Sequence, residues 1–311
     1  MRAAVLTRYA EPPEPAERPD PVAGPDQELI RVTAAPIVPL DLLCATGTSY
    51  FGAPQLPYVP GVQGVGRLSD GRRVFFSTGA GTRPGDGSLA EQAVAAADDV
   101  VPLAEDVPDE LVAALGLSAV AAWMSLTWRA QVRPGERVLV LGAGGAVGQV
   151  AVQAAVALGG SAVVAGSRRM THRELARTRG ATGVVDLSDV DGLTDRIREA
   201  AGGPVDVVID PVGGEAATAA LLALAENGRF VHLGASGGPT ATFSSAALRS
   251  GSHSILGYTN NALTAAQKAE ALGAVLEHRC TVTYETVGLD DVADAWSRAG
   301  ATPDGRLVVI P

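Results

Sequence analysis

The sequence is poor in cysteine, in aromatic residues and in charge. Its 311 residues include 2 cysteines, 4% aromatic residues and 19% charged residues. Cys44 and Cys280 lie far apart and form no C-x-x-C pair, so nothing in the spacing indicates a disulfide framework. This cysteine usage favours a reduced protein, and we expect a cytoplasmic location.

The sequence also shows no basic stripe and no long apolar run. Its formal net charge is −10, which argues against nucleic acid as a partner and gives no reason to expect an anionic membrane surface. No window reaches about 18 uninterrupted apolar residues, so we expect no membrane span. The first residues, "MRAAVLTRYAEPPEP", show neither a long apolar core nor a small-residue cleavage site, so we expect no signal peptide.

What the sequence has in abundance is apolar residues, glycine and two distinct textures. The first third carries short β-branched runs separated by proline and glycine, which predicts a β-rich region. "VPDELVAALGLSAVAAWMSL" (107–126) is then predicted to be helical, with Asp109 and Glu110 in a first turn that favours acids. From about Arg137 apolar strands alternate with helices, one of them predicted over "EAATAALLALAENG" (215–228). This alternation predicts an α/β fold with a doubly wound parallel sheet.

The stretch "VLVLGAGGAVG" (138–148) joins a predicted strand to a predicted helix. A dinucleotide site there needs a sharp turn, close backbone approach to a pyrophosphate and tight helix–strand packing. A G-x-x-G-x-x-G spacing meets these needs with Gly142, Gly145 and Gly148, and Gly144 is an extra glycine. The alternative is a tight turn in a sheet that binds nothing. The predicted cofactor loop is Gly142, Gly144, Gly145, Ala146, Val147 and Gly148.

The end of the second predicted strand bears on cofactor choice. A site that prefers NADH usually ends this strand with an acid that accepts hydrogen bonds from the ribose. Here the strand ends at Ser167, followed by Arg168 and Arg169. A hydroxyl and two guanidinium groups suit a 2′-phosphate, so we predict NADPH as the cofactor. The alternative is that the arginines only solvate the start of a helix.

Ligands of such sheets bind beyond the carboxyl ends of the strands. Leu233 and Gly234 end one late strand, and Leu256 and Gly257 end the next, so we predict that these four residues border the nicotinamide. The four histidines form no spaced pair with another metal ligand. His232 lies inside a predicted strand, which favours a hydrogen-bonded core histidine over a catalyst.

Several segments together resemble the medium-chain dehydrogenase/reductase superfamily, in its zinc-free quinone oxidoreductase (zeta-crystallin-like) branch. The resemblance rests on the segments 36–66 ("PIVPLDLLCATGTSYFGAPQLPYVPGVQGVG"), 87–103 ("GSLAEQAVAAADDVVPL"), 132–160 around the glycine stretch, 205–214, 228–238 and 303–311 ("PDGRLVVIP"). It implies a GroES-like β-barrel catalytic domain formed by residues 1–112 and completed by 260–311, with a Rossmann domain over 113–259. It also implies a homodimer that pairs through the strand "HSILGY".

The chain departs from zinc-dependent relatives at the metal ligands. Val38 stands where their cysteine lies, and Val62 and Gln63 replace the histidine and glutamate of "G-H-E". Without thiolate, imidazole or carboxylate no catalytic zinc is expected. Relatives of the resembled branch often carry polar groups at the positions of Val38, Leu43 and Ala121, all apolar here, which indicates a more apolar substrate pocket than usual.

The resemblance implies hydride transfer from NADPH to a quinone or an α,β-unsaturated carbonyl. Without a metal, hydrogen-bond donors or water must polarise the carbonyl. Tyr50 is the candidate donor, although it could only line the cleft. Trp123 either walls the substrate pocket, with Val38 and Leu43, or packs in the core. The alternatives are a pathway-specific enoyl or enone reductase for a bulky apolar substrate, and a non-catalytic NADPH-binding sensor.

Overall fold

The computed structural model describes residues 1–104, 106–301 and 304–311. Residue 303, the first of the segment 303–311 that carries part of the resemblance, lies outside the described residues. The chain divides into two compact units, Met1–Gly116 with Val282–Pro311, and Leu117–Thr281. Each unit is built around its own sheet.

The first unit is built on an antiparallel-rich sheet. The strands of this unit are β1 (Arg2–Val5), β2 (Glu14–Glu17), β3 (Gln27–Pro36), β4 (Gln63–Arg67), β5 (Arg73–Ser77), β6 (Gln92–Ala96), β7 (Val100–Pro102), β14 (Tyr284–Gly288) and β15 (Arg306–Ile310). Its helices are α1 (Pro39–Ala45) and α9 (Val292–Gly300), with 3-10 turns at Ala97–Asp99 and Leu289–Asp291. Seven of the strands pair in the order β14-β15-β3-β4-β5-β7, with β6 on β3, and β1 and β2 form a separate two-stranded sheet. The long strand β3 organises the sheet because it pairs with β4, β6 and β15.

The second unit is a six-stranded, wholly parallel sheet. The strands are β8 (Arg137–Leu141), β9 (Ala162–Ser167), β10 (Gly183–Asp186), β11 (Val205–Asp210), β12 (Leu224–His232) and β13 (Ser254–Gly257). The helices are α3 (Ala146–Ala157), α4 (Met170–Thr178), α5 (Leu193–Ala201), α6 (Gly214–Leu222), α7 (Ser245–Ser250) and α8 (Ala265–Glu277), with a 3-10 turn at Asn260–Ala262. The strands pair in the order β10-β9-β8-β11-β12-β13. The sheet order reverses between β8 and β11, the place where such sheets bind ligands.

The central strands of this sheet are apolar because helices cover both faces. Val138, Leu139, Val140 and Leu141 of β8 are fully buried, as are Val207, Val208 and Ile209 of β11. The predicted α/β fold with a doubly wound parallel sheet is therefore confirmed.

Helix α2 (Asp109–Met124) continues into a π-helical stretch, Ser125–Arg129, and is broken at Gly116. Gly116 has φ 37° and ψ −136°, outside the helical region, and a Cβ there would lie 2.3 Å from Nε2 of Gln63. By length and composition the stretch Asp109–Arg129 could cross a membrane, and 67% of its apolar window is buried within the protein. Buried core helices pass the same test, and the break at Gly116 leaves two shorter helical segments.

The structure differs from the sequence analysis at two places. The two compact units place residues 113–116 with the first unit and residues 260–281 with the second, whereas the expected domain bounds have them the other way round. Within the second unit, Nε2 of Gln153 donates to the Thr281 carbonyl at 2.7 Å and Nδ2 of Asn260 donates to the Leu117 carbonyl at 3.0 Å. The helix predicted over 215–228 ends at Leu222, and Leu224 already pairs with Val205 of β11. Alanine and leucine favour a helix there, but the residues from Leu224 onward form strand β12, which pairs with β11.

Candidate functional site

The turn after β8 has the conformation that the glycine spacing predicted. Gly142 lies in the left-handed region at φ 65°, which a non-glycine residue rarely adopts. Gly145 is the N-cap of α3 at φ −75°. A Cβ on Gly148 would lie 2.2 Å from the Gly142 carbonyl oxygen, so only glycine lets the helix pack this closely on the turn. That these residues bind a cofactor stays a prediction.

Helix α3 begins at Ala146, directly beyond this turn. The first N–H groups of a helix have no partner within it and carry a partial positive charge. Ala146 and Val147 therefore present backbone donors at the carboxyl edge of the sheet. Gly145 is exposed, and a Cβ there would meet only the Gly142 carbonyl oxygen, at 3.6 Å. The geometry fits an anionic diphosphate.

The additional glycine, Gly144, has a steric reason that sequence analysis missed. A Cβ on Gly144 would lie 1.9 Å from Nδ1 of His172, a buried residue of α4. The same imidazole nitrogen lies 3.4 Å from Oγ of Ser167. His172 thus connects the glycine turn to the end of β9. No local sequence pattern signals this contact, because the two residues come from different βα units.

A second polar contact supports the turn from inside the helix. Nε2 of the buried Gln149 donates to the Gly144 carbonyl at 2.6 Å, and Oε1 of Gln149 accepts from Arg179. Burial lowers the pKa of the Arg179 guanidinium from its usual value. The glycine turn is therefore held by α3 and by the segment after α4.

Strand β9 ends at Ser167 as predicted, with Ser167 buried and Arg168 and Arg169 exposed at the start of α4. Arg173 donates to the Ser167 carbonyl at 2.8 Å and to the Arg168 carbonyl at 3.0 Å. Its guanidinium also pairs with Asp186 at 3.0 Å. Backbone and side-chain hydrogen bonds from Ser188, followed by Arg173, lower the pKa of Asp186. Arg173 thus fixes the backbone that carries the two exposed arginines.

The carboxyl ends of β11 and β12 hold an acid–imidazole pair. Asp210 and His232 are register partners, and Oδ2 of Asp210 lies 2.7 Å from Nδ1 of His232. The other carboxylate oxygen, Oδ1, accepts from the N–H groups of Val212 and Gly213, both at 2.8 Å. Asp210 is fully buried, whereas the His232 side chain is 42% exposed. His232 is therefore hydrogen-bonded, as expected, but its exposed side chain does not belong to the core, and β12 ends at this residue.

The residues predicted to border the nicotinamide separate into two groups. Leu233 and Gly234 follow β12, and the Leu233 N–H donates to the Asp210 carbonyl at 2.9 Å. Leu256 and Gly257 lie in β13, the last strand of the sheet order, paired with Val231 and His232. The first pair lies one strand beyond the point where the sheet order reverses, and the second pair lies two strands beyond it.

The residues predicted for the substrate pocket lie in both units. In the first unit, Val38 is buried just before α1, Leu43 of α1 is 38% exposed and Tyr50 is 81% exposed. The Tyr50 ring packs against Phe51 with centroids 4.3 Å apart, and among the described residues its hydroxyl has no hydrogen-bond partner. In the second unit, Trp123 stacks on His278 with centroids 5.2 Å apart.

The carboxylate nearest to the missing zinc ligands is occupied by backbone donors. Asp41 accepts from the N–H groups of Val38, Gly61 and Val62 at 2.8, 3.2 and 3.0 Å. Burial raises the pKa of Asp41 to about 6 against these three hydrogen bonds, and burial lowers the pKa of Arg306 to about 10. Within the described ranges, no group of three or more His, Cys, Asp or Glu side chains could hold a metal ion.

The sheet order, the glycine turn and the open N-terminus of α3 define a dinucleotide-binding protein of the Rossmann class. Residues 146–277 match the family model described as zinc-binding dehydrogenase. The chain is 31% identical to mouse (Mus musculus) quinone oxidoreductase-like protein 2 over 249 residues, covering 78% of this chain and 70% of that protein. It belongs to the medium-chain dehydrogenase/reductase superfamily, in the quinone oxidoreductase-like branch, a family of oxidoreductases that use nicotinamide cofactors.

The chain is also similar to two bacterial proteins. The quinone oxidoreductase of Thermus thermophilus, solved alone and as a complex with NADPH, superposes with a TM-score of 0.85 at 29% identity, and each chain is covered completely. A phenolphthiocerol/phthiocerol polyketide synthase chain of Mycobacterium tuberculosis is 30% identical over 306 residues. That match covers 91% of this chain but 13% of the synthase, so the likeness concerns one part of a much longer protein.

Proposed function

We propose that this protein is an NADPH-dependent reductase that transfers hydride to a quinone or an α,β-unsaturated carbonyl without a catalytic zinc. The observation that carries the cofactor choice is the end of β9, where Ser167, Arg168 and Arg169 stand in place of an acid. The NADPH complex of the T. thermophilus relative supports the same choice. The name of the mouse relative supports quinones as acceptors.

The residues of this chain suggest how NADPH is held. The N–H groups of Ala146 and Val147 face the diphosphate, and the two exposed arginines, Arg168 and Arg169, bind the 2′-phosphate through charge-assisted hydrogen bonds. When bound, NADPH supplies the hydride. Leu233 and Gly234 border the nicotinamide and exclude water from it, while Leu256 and Gly257 lie further out.

The proposed acceptor site is more apolar than the resemblance to the zinc-free branch implies. Val38 and Leu43 offer no polar group to the acceptor, so conjugation within the acceptor has to spread the incoming negative charge. Tyr50, in the first unit, stays our candidate hydrogen-bond donor to the carbonyl oxygen of the acceptor. Its side chain is exposed, which leaves the hydroxyl available. Quinones and enones suit this arrangement better than isolated ketones do.

A second candidate is a pathway-specific enoyl or enone reductase with a bulky apolar substrate. The nearly full-length likeness of this chain to part of a polyketide synthase favours it. The apolar residues Val38 and Leu43 suit such a ligand. A third candidate, an NADPH-binding sensor without turnover, rests only on the loss of polar pocket residues.

One experiment separates these three candidates. NADPH oxidation is followed at a fixed protein concentration with simple quinones, 2-alkenals, small enones and large apolar enoyl thioesters. We expect turnover with quinones or small enones. Turnover confined to the large enoyl compounds supports the second candidate, and tight NADPH binding with no turnover on any acceptor supports the sensor.

We also propose a homodimer that acts on small molecules, with no nucleic-acid or membrane partner. Strand β13 ends the sheet order, and its Ile255 is 44% exposed, which supports pairing through this edge. A cytoplasmic location stays our proposal, supported by Cys44 and Cys280, both free and buried. Light scattering coupled to gel filtration tests the dimer.

A further inference from the structure

Asp210 and His232 form a hydrogen-bonded pair to which the proposed function assigns no role. Reduction of a quinone or an enone requires a proton as well as a hydride. The two residues end neighbouring strands, β11 and β12, at the carboxyl edge of the sheet, which is where ligands of such sheets bind. Strand β11 also borders the point where the sheet order reverses.

The carboxylate of Asp210 is built to hold an imidazole in one orientation. Asp210 is fully buried, and Oδ1 accepts two backbone N–H groups. Oδ2 therefore serves His232 Nδ1, 2.7 Å away. A carboxylate oxygen accepts hydrogen bonds, so Nδ1 of His232 carries the hydrogen and donates a hydrogen bond to Oδ2 of Asp210.

The backbone around the pair is fixed as well. The Leu233 N–H donates to the Asp210 carbonyl at 2.9 Å, and the Tyr258 N–H donates to the His232 carbonyl at 2.9 Å. The loops after the two strands are joined by the Gly237 N–H, which donates to the Val212 carbonyl at 2.6 Å. His232 therefore lies at the end of a strand that is hydrogen-bonded to both neighbouring strands, β11 and β13, and not in a mobile loop.

The other ring nitrogen of His232 is available. Nδ1 faces a fully buried carboxylate, so the 42% exposure of the side chain belongs to the remainder of the ring. In residues 1–104, 106–301 and 304–311, Nε2 has no hydrogen-bond partner. A base oriented by a buried carboxylate, with its second nitrogen open to a ligand, is the arrangement used for proton transfer in many active sites.

Resting on the proposed function, we propose that His232 is the proton donor of the reduction and that Asp210 is its positioning residue. The acceptor gains a hydrogen with two electrons from NADPH, which leaves as NADP⁺. The acceptor oxygen becomes negatively charged and takes the proton from Nε2 of the imidazolium, as the N–H bond breaks. The neutral ring keeps its Nδ1 hydrogen, which stays hydrogen-bonded to Asp210, and Nε2 then takes up one H⁺ from bulk solvent, so the reaction consumes NADPH, the acceptor and one proton.

The kinetic test compares His232→Asn with the wild-type protein, using an acceptor that the wild type reduces. Asparagine can keep a donor toward Asp210 but offers nothing at the position of Nε2. We expect kcat to fall about 100-fold or more, the range that general acid catalysis supplies, with the Kd for NADPH changed less than threefold. Exogenous imidazole should restore part of the activity of His232→Ala, since it returns a proton donor without restoring the packing.

A spectroscopic test needs no turnover. The chain has four histidines, so ¹⁵N-imidazole spectra are simple, and His232→Asn assigns the signal. At a pH where the ring is neutral we expect the Nδ1–H tautomer, and we expect its loss in Asp210→Ala. A neutral ring that carries its hydrogen on Nε2 overturns the proposal.

The other outcomes are equally informative. His253→Asn, the same exchange beside β13, serves as the matched control and should leave kcat unchanged. If His232→Asn keeps kcat within threefold while the wild type turns over, the proposed function stands and the role of His232 is refuted. If His232→Asn instead loses NADPH affinity with kcat intact, the pair is only structural. If the wild type binds NADPH but reduces no acceptor, both proposals fail.

Discussion

Gly144 lies directly against the imidazole ring of His172, so closely that a Cβ on Gly144 would lie 1.9 Å from Nδ1. The two residues are 28 positions apart in the chain, counted from 144 to 172. Their contact joins the glycine turn after β8 to the helix that follows β9. The steric limit at Gly144 therefore concerns the relation between two βα units, and not the turn alone.

The first prediction follows from this contact. Gly144→Ala should lower the free energy of unfolding by about 1–3 kcal/mol, because the added methyl overpacks a buried ring. Urea denaturation followed by circular dichroism measures the change. Gly145→Ala is the matched control: its Cβ would meet only a carbonyl oxygen at 3.6 Å, at a φ of −75° that alanine adopts freely, so we expect a change below about 1 kcal/mol.

A double-mutant cycle sharpens the same test. His172→Ala removes the ring that the methyl of Gly144→Ala would strike, so the combined variant should lose less stability than the sum of the single variants. Residues in contact commonly couple by about 0.5–3 kcal/mol. Strict additivity of the two substitutions would show that the destabilisation has another origin.

The second prediction concerns the choice of cofactor. Arg168→Ala combined with Arg169→Ala should reduce the preference for NADPH over NADH by at least about tenfold, since a charge-assisted hydrogen bond contributes about 1.5–3 kcal/mol. The measurement is kcat/KM, or Kd where turnover is absent, for both cofactors. Arg177→Ala removes an exposed arginine from the last turn of the same helix and should leave the preference unchanged. An unaltered preference in the double variant contradicts the phosphate assignment.

The third prediction concerns pH and the ion pair between Glu136 and Arg229. The two guanidinium nitrogens Nη1 and Nη2 donate to the two carboxylate oxygens at 2.9 and 2.6 Å. Burial alone would raise the pKa of Glu136, but the hydrogen bonds from Arg229 and from the Arg133 N–H outweigh it, and the pKa lies below its usual value. Glu136→Gln should therefore cost about 1–3 kcal/mol of unfolding free energy near pH 7.

The pH dependence of this cost has a definite sign. A carboxyl whose pKa is lower in the folded protein stabilises the fold above its unfolded pKa, and the contribution disappears as the pH falls through the folded value. The stability difference between wild type and Glu136→Gln should thus be full at pH 7 and shrink below about pH 4. Glu174→Gln, an exposed exchange on α4, should show a difference under about 0.5 kcal/mol at every pH. A constant difference for Glu136→Gln would refute the assignment.

Elements governed by local composition were predicted well. Strand β9 ends at Ser167, as predicted, because a short apolar run with two valines is followed directly by two arginines. The turn at Gly142 and the packing at Gly148 also follow from the chain itself, since both depend on the absence of a side chain. These are the parts of the candidate site that a single sequence can indicate.

The remaining parts depend on partners that the sequence does not place side by side. Asp210 and His232 are brought together by the parallel register of β11 and β12, and the histidine gains its exposure because β12 ends there. Leu224 joins the sheet although its neighbours favour a helix, because β11 offers it hydrogen-bonding partners. Register and strand ends are tertiary features, so the sequence alone predicts a core position for His232 and a helix at Leu224.

The division of the chain has a consequence for synthesis on the ribosome. The first unit contains β3 and β15, which pair with each other although β15 is made only after the whole second unit. The second unit is one continuous segment and can fold as soon as it has emerged, since domains generally fold as units during translation. The nucleotide-binding sheet can therefore be complete before β15 has been made, and the sheet of the first unit forms fully only after it.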